Sequence, residues 1–290
     1  MTNLVSNPME IEPKLEALSE YLQGLKSVLV CYSGGIDSAV VLAAALRSGV
    51  RTIAMTAVSP SLLASELDGA RAFAKSIGAD HRLVDSQEIE VEGYQANGTD
   101  RCFYCKSELY EIAARKRTEW GLEHIANGTN VDDLGDHRPG LEAASRANVV
   151  SPFVALGFSK SDVRAGAQAY GLEIWDKPAA ACLSSRIAYG TRVTRERLAS
   201  VAALETTLQG LGFRGHRVRY HPAGPDQDKA LARLELSKSD LMRACEPELR
   251  EVIVRRAEEA GFLYVTLDLA GYRMGSHNAA LPKRSLTIVR

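Results

Sequence analysis

VLVCYSGGIDSAV, residues 28–40, decides how the chain is read. Val28–Tyr32 is a run of β-type apolar residues that stops in Ser33-Gly34-Gly35, and a helix-like stretch opens at Asp37. A strand, a glycine turn and a helix start, in that order, make an anion site. The N–H groups of the turn converge, the helix dipole adds positive potential, and missing Cβ atoms let a phosphate reach bare backbone. The same residues also suit a plain strand-to-helix turn with Asp37 or Ser38 as its cap. The spacing is neither G-x-G-x-x-G nor G-x-x-x-x-G-K-[ST], so dinucleotide and Walker loops are both excluded.

Outward from this turn, apolar runs recur at Thr52–Val58, His81–Val84 and His124–Ala126. Helical patterns lie between them at Asp37–Arg47, Ser65–Ile77 and Cys102–Trp120, with another over Ser159–Tyr170. Alternation of this kind predicts a parallel sheet covered on both faces. After Tyr189 the pattern changes to a helix at Thr194–Leu211, strands at Gly215–Tyr220 and Ala230–Leu236, a helix over Ser239–Ala260 and a strand at Phe262–Leu269. The expected division is a domain over residues 1–188 and a smaller α+β domain over 189–290.

The 290 residues, 46% hydrophobic with a formal net charge of −1, supply a core for such domains and argue against a polyanion-coating protein. No run of 18 apolar residues suggests a membrane span, and the N-terminus lacks a basic-then-apolar leader, so a cytoplasmic protein is expected. Five cysteines, odd in number and unevenly spaced, are unlike a secreted disulfide framework.

Ser33-Gly34-Gly35-Ile36-Asp37-Ser38 resembles the SGGxDS loop of the N-type ATP pyrophosphatases, whose members adenylate a substrate oxygen and release pyrophosphate. The resemblance implies an α/β fold of the adenine-nucleotide alpha hydrolase (PP-loop) type, ATP and Mg²⁺. It implies phosphate binding by Ser33, Gly34, Gly35 and Ser38, and a part for Asp37 in holding Mg²⁺. Gly128, after the strand His124–Ala126, matches a nucleotide-contacting glycine, and SPFVALGFSKSDVRAGAQAYGL (151–172) resembles a segment of amide- and sulfur-transferring members.

Cys102 and Cys105 stand at i and i+3 in DRCFYCK, on one helical face with Leu109 and Ile112, and Cys182 stands in CLSSR. A C-x-x-C pair alone is as much a pattern for core packing as for chemistry, and a structural zinc site lacks its second pair of ligands. DDLGDHRPGL (132–141), CLSSR (182–186), LGFRGHRVRYH (211–221) and YVTLDLAGYRMG (264–275) together resemble the LarE family of ATP-dependent sulfur transferases in nickel-pincer nucleotide biosynthesis. In that family the cysteine of C-x-x-S-R lies at the active site. Some members give up its sulfur and end as dehydroalanine; others use three cysteines to hold a [4Fe–4S] cluster. Cys102 and Cys105 with Cys182 place this sequence nearer the cluster type, and the sacrificial route through Cys182 alone stays open.

The implied substrate is pyridinium-3,5-biscarboxylic acid mononucleotide, a small nucleotide whose phosphate and carboxylates suit forked arginines. Arg217 and Arg219 alternate on one strand face, which alone suits a solvated face as well, and the family resemblance implies that they bind the phosphate; Arg138, Arg186 and Glu205 are further substrate candidates. Lys106 is a candidate for contacting ATP or the acyl-adenylate, and Asp133, with Asp136, for Mg²⁺ or for orienting the substrate. Cys31 and Cys245 read as packing residues. The family resemblance implies a homo-oligomer, a trimer or hexamer. A tRNA-thiolating enzyme and an ammonia-using ligase of the NAD synthetase kind remain as alternatives; the first would need a basic RNA-binding extension and the second no cysteine.

Overall fold

Val28, Leu29 and Val30 are all fully buried because the strand they form is covered on both sides. Val28 and Val30 join a core with helices on one face of the sheet, while Leu29 packs with Ile53, Met55, Ile112 and Ile125 on the other. The computed structural model describes residues 8–134, 139–178, 181–224 and 229–273. The chain divides into a unit of Met1–Tyr94 with Asp100–Ala180 and a unit of Gln95–Thr99 with Ala181–Arg290.

In the first unit the elements run α1 (Pro8–Gly24), β1 (Ser27–Cys31), α2 (Ile36–Arg47), β2 (Arg51–Val58), α3 (Ala64–Ser76), β3 (His81–Asp85), α4 (Glu92–Gln95), α5 (Arg101–Glu119) and β4 (His124–Ala126). Then follow α6 (Pro139–Arg146), α7 (Pro152–Ala155) and α8 (Lys160–Ala169). The sheet order is β3-β2-β1-β4, parallel throughout, with Val28 opposite both Thr52 and His124. The strand order reverses beside β1, and in open α/β sheets the crevice beyond the strand ends at such a point is where ligands bind. Ser33–Ser38 and Gly128 follow the two strands that flank it.

Ser159 caps α8 through a reciprocal pair with Asp162, which explains why that helix is legible from its first residue. Helix α1 is not apparent in the sequence, since Pro13 inside it breaks the pattern. Leu15, Leu18 and Leu22 nonetheless bury one stripe of it in the core.

The second unit holds α9 (Arg195–Gly210), β5 (Arg217–Ala223), β6 (Lys229–Glu235), α10 (Pro247–Glu259) and β7 (Phe262–Leu267). Strands β5 and β6 pair antiparallel from Arg217↔Glu235 to Ala223↔Lys229, and β7 adds parallel to β6. The helix expected over 239–260 begins only at Pro247, because proline lacks the N–H that an interior position must donate and fits a first turn. A short turn at Arg243–Cys245 precedes it, leaving Cys245 exposed rather than packed.

The sequence suggests a boundary after residue 188, whereas the contacts divide the chain at Ala180/Ala181 and assign Gln95–Thr99 to the second unit. Asn97 accounts for that assignment. It is fully buried at φ 54°, and its side-chain amide donates to the carbonyls of Ile187 (3.2 Å), Ala188 (2.9 Å) and Thr191 (3.0 Å). Asn97→Ala strands those carbonyls and forces a Cβ residue without a polar side chain into the left-handed region. We expect a loss of about 2–4 kcal/mol, read as a lower urea midpoint. No helix among the described residues is long and apolar enough to cross a membrane.

Candidate active site

The turn after β1 is built from its own hydroxyls. Ser33 N–H donates to Ser38 Oγ (3.2 Å), Ser38 Oγ donates to Gly35 O (3.0 Å), and the two hydroxyl oxygens stand 3.2 Å apart. Gly34 takes φ +75°, and a Cβ there would stand 2.8 Å from Ala70 Cβ on α3, so only glycine fits. Gly128 closes the turn from the β4 side: a Cβ on it would lie 2.6 Å from Ser38 N and 2.7 Å from Asp37 C. The backbone beyond β4 therefore rests directly on the first turn of α2. Ser33, Gly34, Gly35, Ser38 and Gly128 are brought together as one backbone-lined cradle.

Asp37 heads α2 beside this cradle. Its Oδ1 accepts from Asn130 Nδ2 (2.8 Å). Burial pushes its carboxyl above the usual carboxylate range and Asp133 adds to the rise, against the Asn130 amide and the charge of Lys160. Asp133 in turn stands 3.3 Å from Lys160 Nζ, and Asn130 and Asp133 form a reciprocal cap that fixes the Val131–Asp133 turn. Two carboxylates beside a backbone-lined turn are a donor set that suits Mg²⁺, which takes one or two carboxylates together with phosphate oxygens. Sequence reasoning does not single out Asn130 or Lys160; the signal for Asn130 is the N-x-x-D spacing of its cap.

Lys177 also escapes it. Its Nζ donates to the Gly34 carbonyl (3.0 Å) and pairs with Glu66 of α3 (2.8 Å).

On α5, Cys102 is exposed and Cys105 half-buried. Lys106 lies beside them with its Nζ 6.0 Å from the centre of the Tyr110 ring. Desolvation opposes the charge of its ammonium, although the residue as a whole is exposed, and the neighbouring Tyr110 phenol and Cys105 thiol outweigh this and raise its pKa. An accessible thiol pair with a cation alongside suits two thiolate ligands. Cys31 differs: burial pushes its thiol up to about 12, which keeps it neutral as a packing residue.

Cys182 is exposed and belongs to the second unit, ahead of a short turn over Leu183–Arg186. That turn is held from inside. Arg186 grips Glu205 with two bonds, Nε to Oε1 (2.8 Å) and Nη2 to Oε2 (3.2 Å), and both side chains are at most 5% exposed. The remaining Arg186 nitrogen donates to the carbonyls of Ala181 (2.7 Å) and Cys182 (3.1 Å). Glu205 Oε1 also accepts from Val218 N–H (3.0 Å). Arg219 repeats the pattern, donating to Ser185 O (2.9 Å) and to buried Glu235 (2.8 Å).

Arg217 stacks over the Tyr272 ring at 5.1 Å. Burial and the neighbouring Arg186 lower its pKa. The second unit thus gathers Arg186, Glu205, Arg217 and Arg219, and adds Glu235. Arg138 and Asp136 lie outside the described residues. Among the described residues, no three His, Cys, Asp or Glu side chains form a group that would hold a metal ion.

A family model for asparagine synthase matches residues 15–97, the stretch carrying β1, the glycine turn and α2. A parallel sheet with this turn at its switch point, and that match, define the class: a PP-loop enzyme that uses ATP.

The likeness to whole proteins goes further. The chain is 36% identical over 281 residues to the pyridinium-3,5-bisthiocarboxylic acid mononucleotide synthase of Lactiplantibacillus plantarum, covering 94% of this chain and 96% of that one. An uncharacterised protein of Synechocystis sp. is 41% identical over 274 residues, 94% of this chain and 100% of that one. Another, from Methanocaldococcus jannaschii, is 28% identical over 248 residues, 86% and 91% of the two chains. The chain belongs to the LarE family, that of the L. plantarum synthase.

Proposed function

We propose that the protein is an ATP-dependent sulfur transferase that converts a carboxylate of pyridinium-3,5-biscarboxylic acid mononucleotide to a thiocarboxylate for nickel-pincer cofactor biosynthesis. The observation that carries the reading is the near full-length identity to a synthase named for the bisthiocarboxylic product.

A carboxylate is a poor acyl donor, because its leaving group would be oxide. Its oxygen attacks the α-phosphorus of ATP, the bond to the β-phosphate breaks, and pyrophosphate leaves with its charge met by the loop amides of Ser33–Ser38. Asp37 and Asp133 would hold Mg²⁺ beside that charge. Sulfur then attacks the acyl carbon and AMP departs. Arg217 and Arg219, with Arg138, bind the substrate phosphate and carboxylates, the buried Arg186–Glu205 pair positions the Cys182 turn rather than touching substrate, and Lys106 contacts the nucleotide side of the adenylate. The protein works in the cytoplasm as a trimer or hexamer.

Cys102, Cys105 and Cys182 are the proposed ligands of a [4Fe–4S] cluster. Three thiolates leave one iron without a protein ligand, and the cluster, when bound, would supply sulfide there. In the second route Cys182 Sγ itself attacks the adenylate, and loss of the Cys182 α-proton breaks its Cβ–S bond to leave dehydroalanine.

Anaerobic purification with iron and sulfide analysis, and intact mass after turnover, separates the two. The cluster route expects a coloured protein with iron and sulfide in equal amounts and unchanged chain mass. A colourless protein that loses one H₂S per turnover overturns it. Cys182→Ala is expected to abolish thiocarboxylate formation by either route while leaving pyrophosphate release. Cys102→Ala and Cys105→Ala should abolish sulfur transfer only if the cluster operates. A Cys182→Ala variant with unchanged thiocarboxylate formation would overturn both routes, since each runs through Cys182.

A further inference from the structure

The loop SGGIDS contains no lysine or arginine of its own, and the peptide joining Gly34 to Gly35 is its one peptide flanked by two glycines. Neither residue carries a Cβ, so this peptide plane can rotate more easily than any other in the turn. A trans peptide is planar, with its carbonyl oxygen and its N–H pointing in opposite directions. Whatever holds the Gly34 oxygen on one side therefore aims the Gly35 N–H to the other.

Lys177 Nζ holds that oxygen at 3.0 Å, and Glu66 anchors the ammonium at 2.8 Å. The Gly35 N–H faces back into the turn, where Ser33 Oγ is its partner at a long 3.4 Å. A donor so weakly engaged is ready for a stronger acceptor. The ammonium also polarises the peptide it touches, strengthening the N–H as a donor.

We propose that Lys177 is a positioning residue of the pyrophosphate loop. It acts through the Gly34–Gly35 peptide, locking the plane in the orientation that presents the Gly35 N–H to the β- and γ-phosphates, with Glu66 as its anchor. The inference rests on the ATP reading of the loop.

The test compares binding of Mg-pyrophosphate, MgATP and AMP by calorimetry to the full-length protein and its variants, because AMP lacks the two phosphates in question. Lys177→Met is expected to weaken pyrophosphate and MgATP by about 10- to 100-fold, the worth of one charge-assisted hydrogen bond, with AMP within about 2-fold. Lys177→Arg, which keeps charge and donor, recovers most of the loss. Should Lys177→Met fold poorly, Glu66→Gln retains the lysine on a weaker anchor. It is expected to weaken pyrophosphate about 2- to 5-fold at unchanged AMP affinity.

Equal loss of AMP and pyrophosphate binding, or unchanged binding of both in Lys177→Met, overturns the positioning role. A wild-type protein that binds none of the three ligands would instead sink the ATP reading beneath it.

Discussion

Glu205→Ala is expected to cost about 3–5 kcal/mol of folding stability, the usual penalty for breaking a buried ion pair from one side. The substitution leaves the Arg186 guanidinium charged, buried and facing a cavity, and it removes the acceptor of the Val218 N–H. A solvent-facing glutamate on a helix such as α9 would cost no more than about 0.5 kcal/mol. The two readings therefore differ by several kcal/mol, and equilibrium unfolding in urea decides between them. A paired Arg186→Met/Glu205→Met variant is expected to recover much of the loss, since an apolar pair of similar volume avoids the stranded charge. The pair also holds the carbonyls of Ala181 and Cys182, so Glu205→Ala should lower sulfur transfer even at temperatures where the chain remains folded.

Gly128→Ala is expected to slow pyrophosphate release by about 100-fold, the effect of misplacing reacting groups by roughly 1 Å. The added Cβ meets Ser38 N and Asp37 C, which are backbone atoms and cannot swing aside as a side chain would. Either the glycine turn or the end of β4 must shift, at a stability cost of about 1–3 kcal/mol. Gly69→Ala is the control. It sits within α3 with nothing inside 4 Å of where its Cβ would stand, so it should leave the rate unchanged and stabilise the helix by about 0.5–1 kcal/mol. Equal rates for Gly128→Ala and wild type would show that the turn tolerates displacement.

The parts of the site that are legible in the sequence are those whose logic is local. Ser33–Ser38 shows its purpose within six residues, because strand, turn and helix start are contiguous. Parallel pairing follows from the alternation of apolar runs and helical patterns, and the Ser159–Asp162 cap from four adjacent positions. What stays hidden depends on contacts across long separations. Lys177 reaches Gly34 over 143 residues, and Asn130 reaches Asp37 over 93. Spacing offers no trace of such pairs. Arg186 and Glu205 stand out as charged residues fit for a ligand, but a sequence does not reveal that each is the other's partner. The start of α10 is misplaced for a different reason: the apolar period runs through residues 239–260, and only the rigid ring of Pro247 sets where helix can begin.

Asn97 has a consequence for how the chain is made. Ile187, Ala188 and Thr191, whose carbonyls it serves, come 90 to 94 residues later. At a ribosomal rate of about 5–20 residues per second, roughly 5–20 s pass between the emergence of this asparagine and that of its acceptors. Until then the side-chain amide of Asn97 lacks the three carbonyls it serves in the folded chain. The first unit can gather its strands during that wait, but the second can close only when translation is well past residue 191. The order of synthesis thus imposes an order of assembly, and a pause in translation between those points would prolong the interval in which Asn97 waits for its acceptors.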